Sequence, residues 1–267
     1  MDEHVSDFYC QASDEAPHGN FHAVISLHND VFKVDWETLN ELDSHLNKGW
    51  YELAQLSSQD RVEFSREYWM TQLPYAPHVH QAISRFFDSL DDIGIFVVQK
   101  KYGDPFFSEM VYSVANKGFY HGKTGASDED IALLQQVFPD HIIPEDYLAF
   151  LKIHNGFSKS VDTGILSTHN IEPSYRIFQE LLDSKEPLKY ANGKIIDPKN
   201  LIPFYESFGM PIFQCFWTDW YPQQEMGNVY YSGYTHTISD ITQSDAETES
   251  LAFPTFAEWL AFYLESV

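Results

Sequence analysis

The hydrophobic period changes along this chain, and that change restricts the fold more than any other feature. After Asp35, a side chain suited to capping a helix, Trp36, Leu39, Leu42 and Leu46 recur at three- and four-residue spacing until Gly49. The pattern predicts a helix with one buried face. A second helix is expected from about Gln59 to Leu73, ended by Pro74. A third should begin at Pro77, with Val79, Ile83, Phe86, Phe87 and Leu90 inward. The period then shortens to that of a strand. Ile93 to Gln99 is a short apolar run rich in β-branched residues, and Tyr102-Gly103-Asp104-Pro105 reads as the turn to a second strand at Met110 to Val114. Together they predict a β-hairpin.

Gly118, Gly122 and Gly125 interrupt the pattern, which places a boundary near residues 120 to 126. Ser127 opens a Ser-Asp-Glu-Asp sequence ahead of Ile131, Leu134 and Val137, the signature of a capping box. Downstream, two short helices and a longer one from about Pro173 to Ser184 precede a strand-rich stretch. Its candidate strands are Leu201 to Phe204, Ile212 to Trp217, Val229 to Tyr231 and Thr237 to Ser239, and short links between them favour antiparallel pairing. A closing helix is expected over Phe256 to Glu265. The expected fold class is therefore α+β: an antiparallel sheet with helices packed on it, preceded by a mainly helical N-terminal region with a β-hairpin. Residues 1–20 read as a flexible leader, 21–122 as the helical region, and 126–267 as the sheet domain.

Charge narrows the function. With 40 Asp+Glu against 16 Lys+Arg the formal charge is −24, which repels phosphate backbones and anionic lipid and attracts basic partners. The excess is spread over both halves. Nucleic acid is a poor candidate ligand, and a protein partner of basic character is favoured. Two distant cysteines, Cys10 and Cys215, imply free thiols in a reducing compartment. The N-terminus lacks a signal-peptide pattern and no apolar run has the ~18 residues of a membrane span, so a cytoplasmic location is expected.

Three segments of the second half carry a resemblance. Ile143-Pro144-Glu145-Asp146-Tyr147-Leu148-Ala149-Phe150-Leu151 runs on to Asn155-Gly156. Leu201-Ile202-Pro203-Phe204 is followed by Ile212 to Phe216 and then by Gly227-Asn228-Val229-Tyr230-Tyr231. Last comes Phe253-Pro254-Thr255-Phe256-Ala257-Glu258-Trp259-Leu260. In this order they resemble the SUKH superfamily, which includes cell-wall assembly regulators of the Smi/Knr type and bacterial immunity proteins. Pro144 would open a helix, Tyr147, Phe150 and Leu151 would pack, and Gly156 would leave it. Two departures stand out: Phe208-Gly209-Met210-Pro211 replaces a small or polar turn, and Phe157 follows Asn155-Gly156 where a second glycine is usual. The resemblance implies no cofactor, no catalytic residues, and a role in binding another protein, often a toxin for bacterial members. It covers nothing before about residue 120.

Enzyme signatures are weak beside this. Gly118-Phe119-Tyr120-His121-Gly122-Lys123-Thr124 has one residue too few between its first Gly and Gly-Lys-Thr to wrap a phosphate, so it reads as an interdomain linker. The twelve histidines, His78 and His80 included, show no metal-ligand spacing. Neither a nucleophile elbow nor a dinucleotide-binding glycine turn occurs. Asp91-Asp92 and Glu145-Asp146 are sequence neighbours that point apart, as helix caps do.

The most informative stretch follows Lys199. From Asn200 to Val267 there is no Lys or Arg, but there are nine carboxylates and sixteen aromatic residues. Aromatics beside carboxylates in a loop suit the anchoring of a basic partner, and the candidate partner-binding residues are Trp217, Asp219, Trp220, Tyr221, Glu225 and Tyr234. The leading expectation is a non-catalytic protein-binding module, with an immunity-type protein that neutralises a basic toxin partner as its narrower form. A regulatory adaptor in cell-envelope assembly or signalling is the first alternative; a hydrolase with a site between the two halves is the second.

Overall fold

The computed structural model describes residues 1–11, 19–29, 34–183, 187–189, 195–239, 241 and 251–265. The chain divides into two compact units. The first is Met1–Gly125 with Ile153–Ser160, and the second is Ala126–Lys152 with the described residues from Val161 to Glu265.

The first unit contains α1 (Glu3–Phe8), β1 (Ala23–Ser26), α2 (Trp36–Leu42), α3 (Lys48–Ala54), α4 (Ser58–Gln72) and α5 (Pro77–Asp88). It continues with β2 (Leu90–Gln99), β3 (Phe106–Val114), β4 (Gly118–Lys123) and, from the later segment, β5 (Phe157–Lys159). The five strands pair in chain order and every pair is antiparallel. Strand periodicity sends alternate side chains to opposite faces. Tyr112 and Tyr120 meet Trp69, Phe86 and Phe87 of α4 and α5 on one face. Val111 and Phe119 meet Val5, Tyr9 and Phe21 on the other. Both faces are covered, so β3 is buried along most of its length and lacks the alternation of a half-exposed strand.

Several expectations need correcting here. The helix expected from Trp36 to about Gly49 is two helices. Asp43 is buried, accepts a bond from Ser108 Oγ at 2.6 Å and ends α2, while Asn47 caps α3. The segment read as a linker is β4, an inner strand. A flexible leader was expected at residues 1–20, yet α1 is capped by Asp2 and buries Val5, and Tyr9 is buried after it. Val5, Phe8 and Tyr9 form one apolar stripe, but it is too short to register as a period. Residues 12–18 of that leader lie outside the described residues.

The second unit contains α6 (Asp128–Val137), α7 (Glu145–Ile153), β6 (Gly164–Ile165), α8 (Thr168–Asp183), β7 (Leu201–Glu206), β8 (Ile212–Trp217), β9 (Asn228–Ser232), β10 (Thr237–Ile238), β11 (Ala252–Phe253) and α9 (Phe256–Glu265). Strands β6 to β10 lie in chain order, all antiparallel, and β11 also pairs with β9. Phe213, Cys215 and Trp217 of β8 face Phe178 and Leu182 of α8. Phe216 faces the other way, onto Tyr147 of α7, and Phe204 of β7 joins it against Phe256 and Trp259 of α9. Ser127 and Asp130 form the expected capping box of α6. Gly156 leaves α7 with φ of 105°, a left-handed conformation that glycine adopts at little steric cost.

Candidate partner-binding surface

The loop after β8 is closed by its own backbone. Trp217 N donates to Gly227 O at 2.9 Å, Gly227 N donates to Trp220 O at 2.9 Å, and Thr218 N donates to Asn200 O at 2.9 Å. Trp217 is 8% exposed and belongs to the core beside α8, with Trp220 half-buried against the same cluster. A Cβ at Gly227 would lie 2.4 Å from the Trp220 ring, so the ring fills the space that glycine leaves. The aromatics at the root of the loop therefore hold its shape.

What the loop presents is smaller. Tyr221 is 48% exposed. Asp219 is exposed, and its Oδ2 accepts from Asn200 Nδ2 at 2.8 Å, which fixes the carboxylate. Glu225 is half-buried and Met226 buried. Burial, followed by the Asp219 charge, pushes the Tyr221 hydroxyl above its ordinary pKa of 10.0.

Asp146 gives the electrostatics of this end of the sheet. Its Oδ1 accepts from Tyr147 N at 2.8 Å and its Oδ2 from Ala257 N at 2.7 Å, so one carboxylate on α7 caps the first turn of α9. Burial pushes its pKa up to about 6, and the Glu225 charge adds to the rise, against the backbone N–H groups of Ala257 and Tyr147, which lower it. The loop carboxylate and the buried carboxylate thus feel one another. Gln214 Nε2 donates to Asn228 Oδ1 at 2.7 Å and Asn228 Nδ2 to Thr255 O at 2.9 Å, tying the strands to the entry of α9.

The six expected residues do not form one patch. Trp217 cannot be an anchor, because extracting its ring would dismantle the core next to α8. Tyr234 is 69% exposed, but the pairing of Ile212 with Ser232 and Phe216 with Asn228 puts its turn at the far end of β8 and β9. At strand rise, the span from Asn228 to Ser232 alone separates it from the Trp217–Gly227 loop by about 13 Å. Its companions there are Phe208 and Met210, both exposed, with Gly233 N donating to Pro211 O at 2.7 Å. Asp219, Trp220, Tyr221 and Glu225 remain together.

One constellation escaped the sequence reading entirely. In the first unit Ser158 Oγ lies 2.9 Å from His121 Nε2, and His121 Nδ1 lies 3.1 Å from Glu109 Oε1. Residues on three neighbouring strands share a face, and their wide sequence separation left no motif. The row has the order of a Ser-His-acid triad. Its partners oppose that chemistry. His121 Nε2 donates to Ser160 O at 2.9 Å, and Nδ1 faces a carboxylate that also accepts from Tyr9 OH at 2.6 Å. Both ring nitrogens therefore act as donors, and the ring has no lone pair for Ser158. Burial pulls the His121 pKa down, but the Glu109 charge and hydrogen bond leave it above 6.5. Burial likewise pushes Glu109 up, while His121 and Tyr9 leave it below 4.5. This is an internal ion pair. Among the described residues, no group of three or more His, Cys, Asp or Glu could hold a metal ion, and no helix is long and apolar enough to cross a membrane.

Fold and surface define the class: an α+β module built on an antiparallel sheet, with a braced acidic-aromatic loop at one end of it. The model of the SMI1 / KNR4 family (SUKH-1) matches residues 125–261, and the chain belongs to that family. Its members are generally non-catalytic modules of immunity or regulation that work through protein partners. The match spans the second unit, from just before α6 into α9. No curated protein matches the chain.

Proposed function

We propose that this chain is a non-catalytic protein-binding module of immunity type, acting in the cytoplasm, and that its loop from Trp217 to Gly227 meets a basic toxin domain. The observation that carries the reading is the bracing of that loop. Backbone bonds and two core-facing indoles fix it, so Asp219, Tyr221 and Glu225 are presented with little ordering cost on binding. The absence of Lys and Arg from Asn200 on leaves their charge uncancelled by the local sequence. Carboxylates there govern encounter, and the Tyr221 ring governs residence.

The test begins with capture of the partner from the native host, followed by binding kinetics and a growth-protection assay. Tyr221→Ala should speed dissociation by about 30-fold, the equivalent of ~2 kcal/mol for an aromatic anchor. Asp219→Lys with Glu225→Lys should slow association and flatten its salt dependence. Wild-type kinetics in both variants, with the fold intact, would place the contact elsewhere. A captured partner whose activity does not impair growth would favour the adaptor role in cell-envelope assembly or signalling.

A further inference from the structure

The second unit carries another concave surface that shares no residue with the loop. Between α6 and α8 lie two clefts, of about 350 and 250 Å³, which share Val137 and Glu172 and so form one groove. Helical spacing aligns its walls: Asp130, Leu133 and Val137 recur along one face of α6, and Thr168, Glu172 and Tyr175 along one face of α8. Leu133 is 50% exposed and Val137 37%, both on this groove. A contact between side chains of the two walls stands at each end. Phe138 meets the Tyr175 ring edge-on at 5.4 Å, and His169 Nε2 lies 3.5 Å from Asp130 Oδ1 at the other end.

We propose that this groove receives an amphipathic helix of a partner protein, with apolar side chains seated on Leu133 and Val137 and Lys or Arg side chains on the rim. The length from Asp130 to Val137 is about 10 Å of helix rise, which matches two turns of a docked helix with anchors three or four residues apart. Charge selects the occupant. Asp130, Asp140 and Glu172 line the groove against the single cation Arg176, which is itself paired with Glu172. A second copy of a −24 chain would bring the same carboxylates face to face, whereas a basic helix neutralises them.

The experiment uses the full chain and a fluorescein-labelled helical peptide of Leu and Lys, with Leu on one face, and a scrambled peptide of the same composition. The amphipathic peptide should bind at least ten-fold more tightly than the scrambled one. Leu133→Ser with Val137→Ser should remove that preference, while Asp219→Lys with Glu225→Lys should leave it unchanged. Equal binding of the two peptides, or a preference that survives the groove variant, overturns the proposal. So does loss of binding in the loop variant alone, which would assign the peptide to the loop. Concentration-dependent dimerisation in sedimentation, abolished by the groove variant, would give the groove to a second copy and also overturn it.

Discussion

The two units each cover both faces of an antiparallel sheet, but they differ in how they hold most of their buried charge. The first encloses ion pairs. Arg61 Nη2 donates to Asp92 Oδ1 at 2.7 Å and Arg61 Nε to the same oxygen at 3.2 Å, both groups buried, and Glu109 and His121 are enclosed together. The second encloses an amide pair, Gln214 with Asn228, and one carboxylate, Asp146, held by backbone N–H groups. Nine carboxylates follow Lys199 and no cation does. The first unit thus neutralises Asp92 and Glu109 as pairs, whereas Asp43 there and Asp146 in the second unit are held by hydrogen-bond donors. Buried pairs are weak evidence for net stability, yet breaking one is costly.

That contrast breaks most visibly at Glu109. Glu109→Ala leaves the His121 imidazolium enclosed without its carboxylate and Tyr9 OH without its acceptor, so a loss of about 3–5 kcal/mol is expected in chemical denaturation. The pH profile has a definite sign. The raised His121 pKa gives stability that is complete below 6.5 and lost as pH rises through the folded value. The lowered Glu109 pKa gives stability that is complete above 4.5 and lost as pH falls through its folded value. The gap between wild type and variant should be widest from pH 4.5 to 6.5. A gap that does not vary with pH would show that the pair is neutral.

In the second unit the largest effect should come from packing. Gly227→Ala drives a methyl into the Trp220 ring, and the expected cost is about 1–3 kcal/mol, as for overpacked cores. Trp220 fluorescence should shift to the red as the ring is expelled. Unchanged emission and stability would mean that the loop is not braced as described.

How much of this was legible beforehand follows from the range of each signal. The last helix, Phe256–Glu265, and β8, Ile212–Trp217, were read with their observed limits, because each is a sustained apolar run with a Pro just ahead of it, Pro254 and Pro211. Strand β4 was misread because three glycines look like a linker, although Gly122 is there for close approach: a Cβ would lie 2.4 Å from the His154 ring. Strands β1, β5, β6 and β11 have four residues or fewer and offer too little alternation to detect. At the loop, composition located the acidic and aromatic residues but not which rings face inward. Tyr234 fell at the wrong end because strand register is a property of pairing. Glu109 and His121 are twelve residues apart on consecutive strands, and only the strand register brings them together.

A smaller effect should sharpen the contrast at Asp146. Its folded pKa of about 6 lies above the ordinary 3.8, so its contribution is complete below 3.8 and is lost as pH rises through 6. Between pH 5 and 7 that loss is about 1 kcal/mol. Asp146→Asn cannot ionise, so the difference between variant and wild type should shift by that amount across the interval, whatever its offset from the weakened contact with Ala257 N. A difference that is flat between pH 5 and 7 would mean that Asp146 titrates normally.

The smallest effect is the one closest to function. The Glu225 charge is a lesser contributor to the raised Asp146 pKa, after burial and the two backbone bonds. Removing it in Glu225→Gln should bring the Asp146 pKa down towards its ordinary value and so reduce the cost of ionising Asp146 in the folded state. At pH 7 the variant should therefore be more stable than wild type, by a few tenths of a kcal/mol, the scale of a surface substitution. Near pH 3, with Asp146 protonated, the gain should vanish. The measurement is a pair of urea midpoints at the two pH values, with an NMR titration of Asp146 as the direct readout. A carboxylate whose removal stabilises the fold does not serve the fold's stability, which accords with the encounter role proposed above for the loop charges. If Glu225→Gln instead lowers stability equally at both pH values, Glu225 is a structural brace of the loop, and the partner-facing charge is reduced to Asp219.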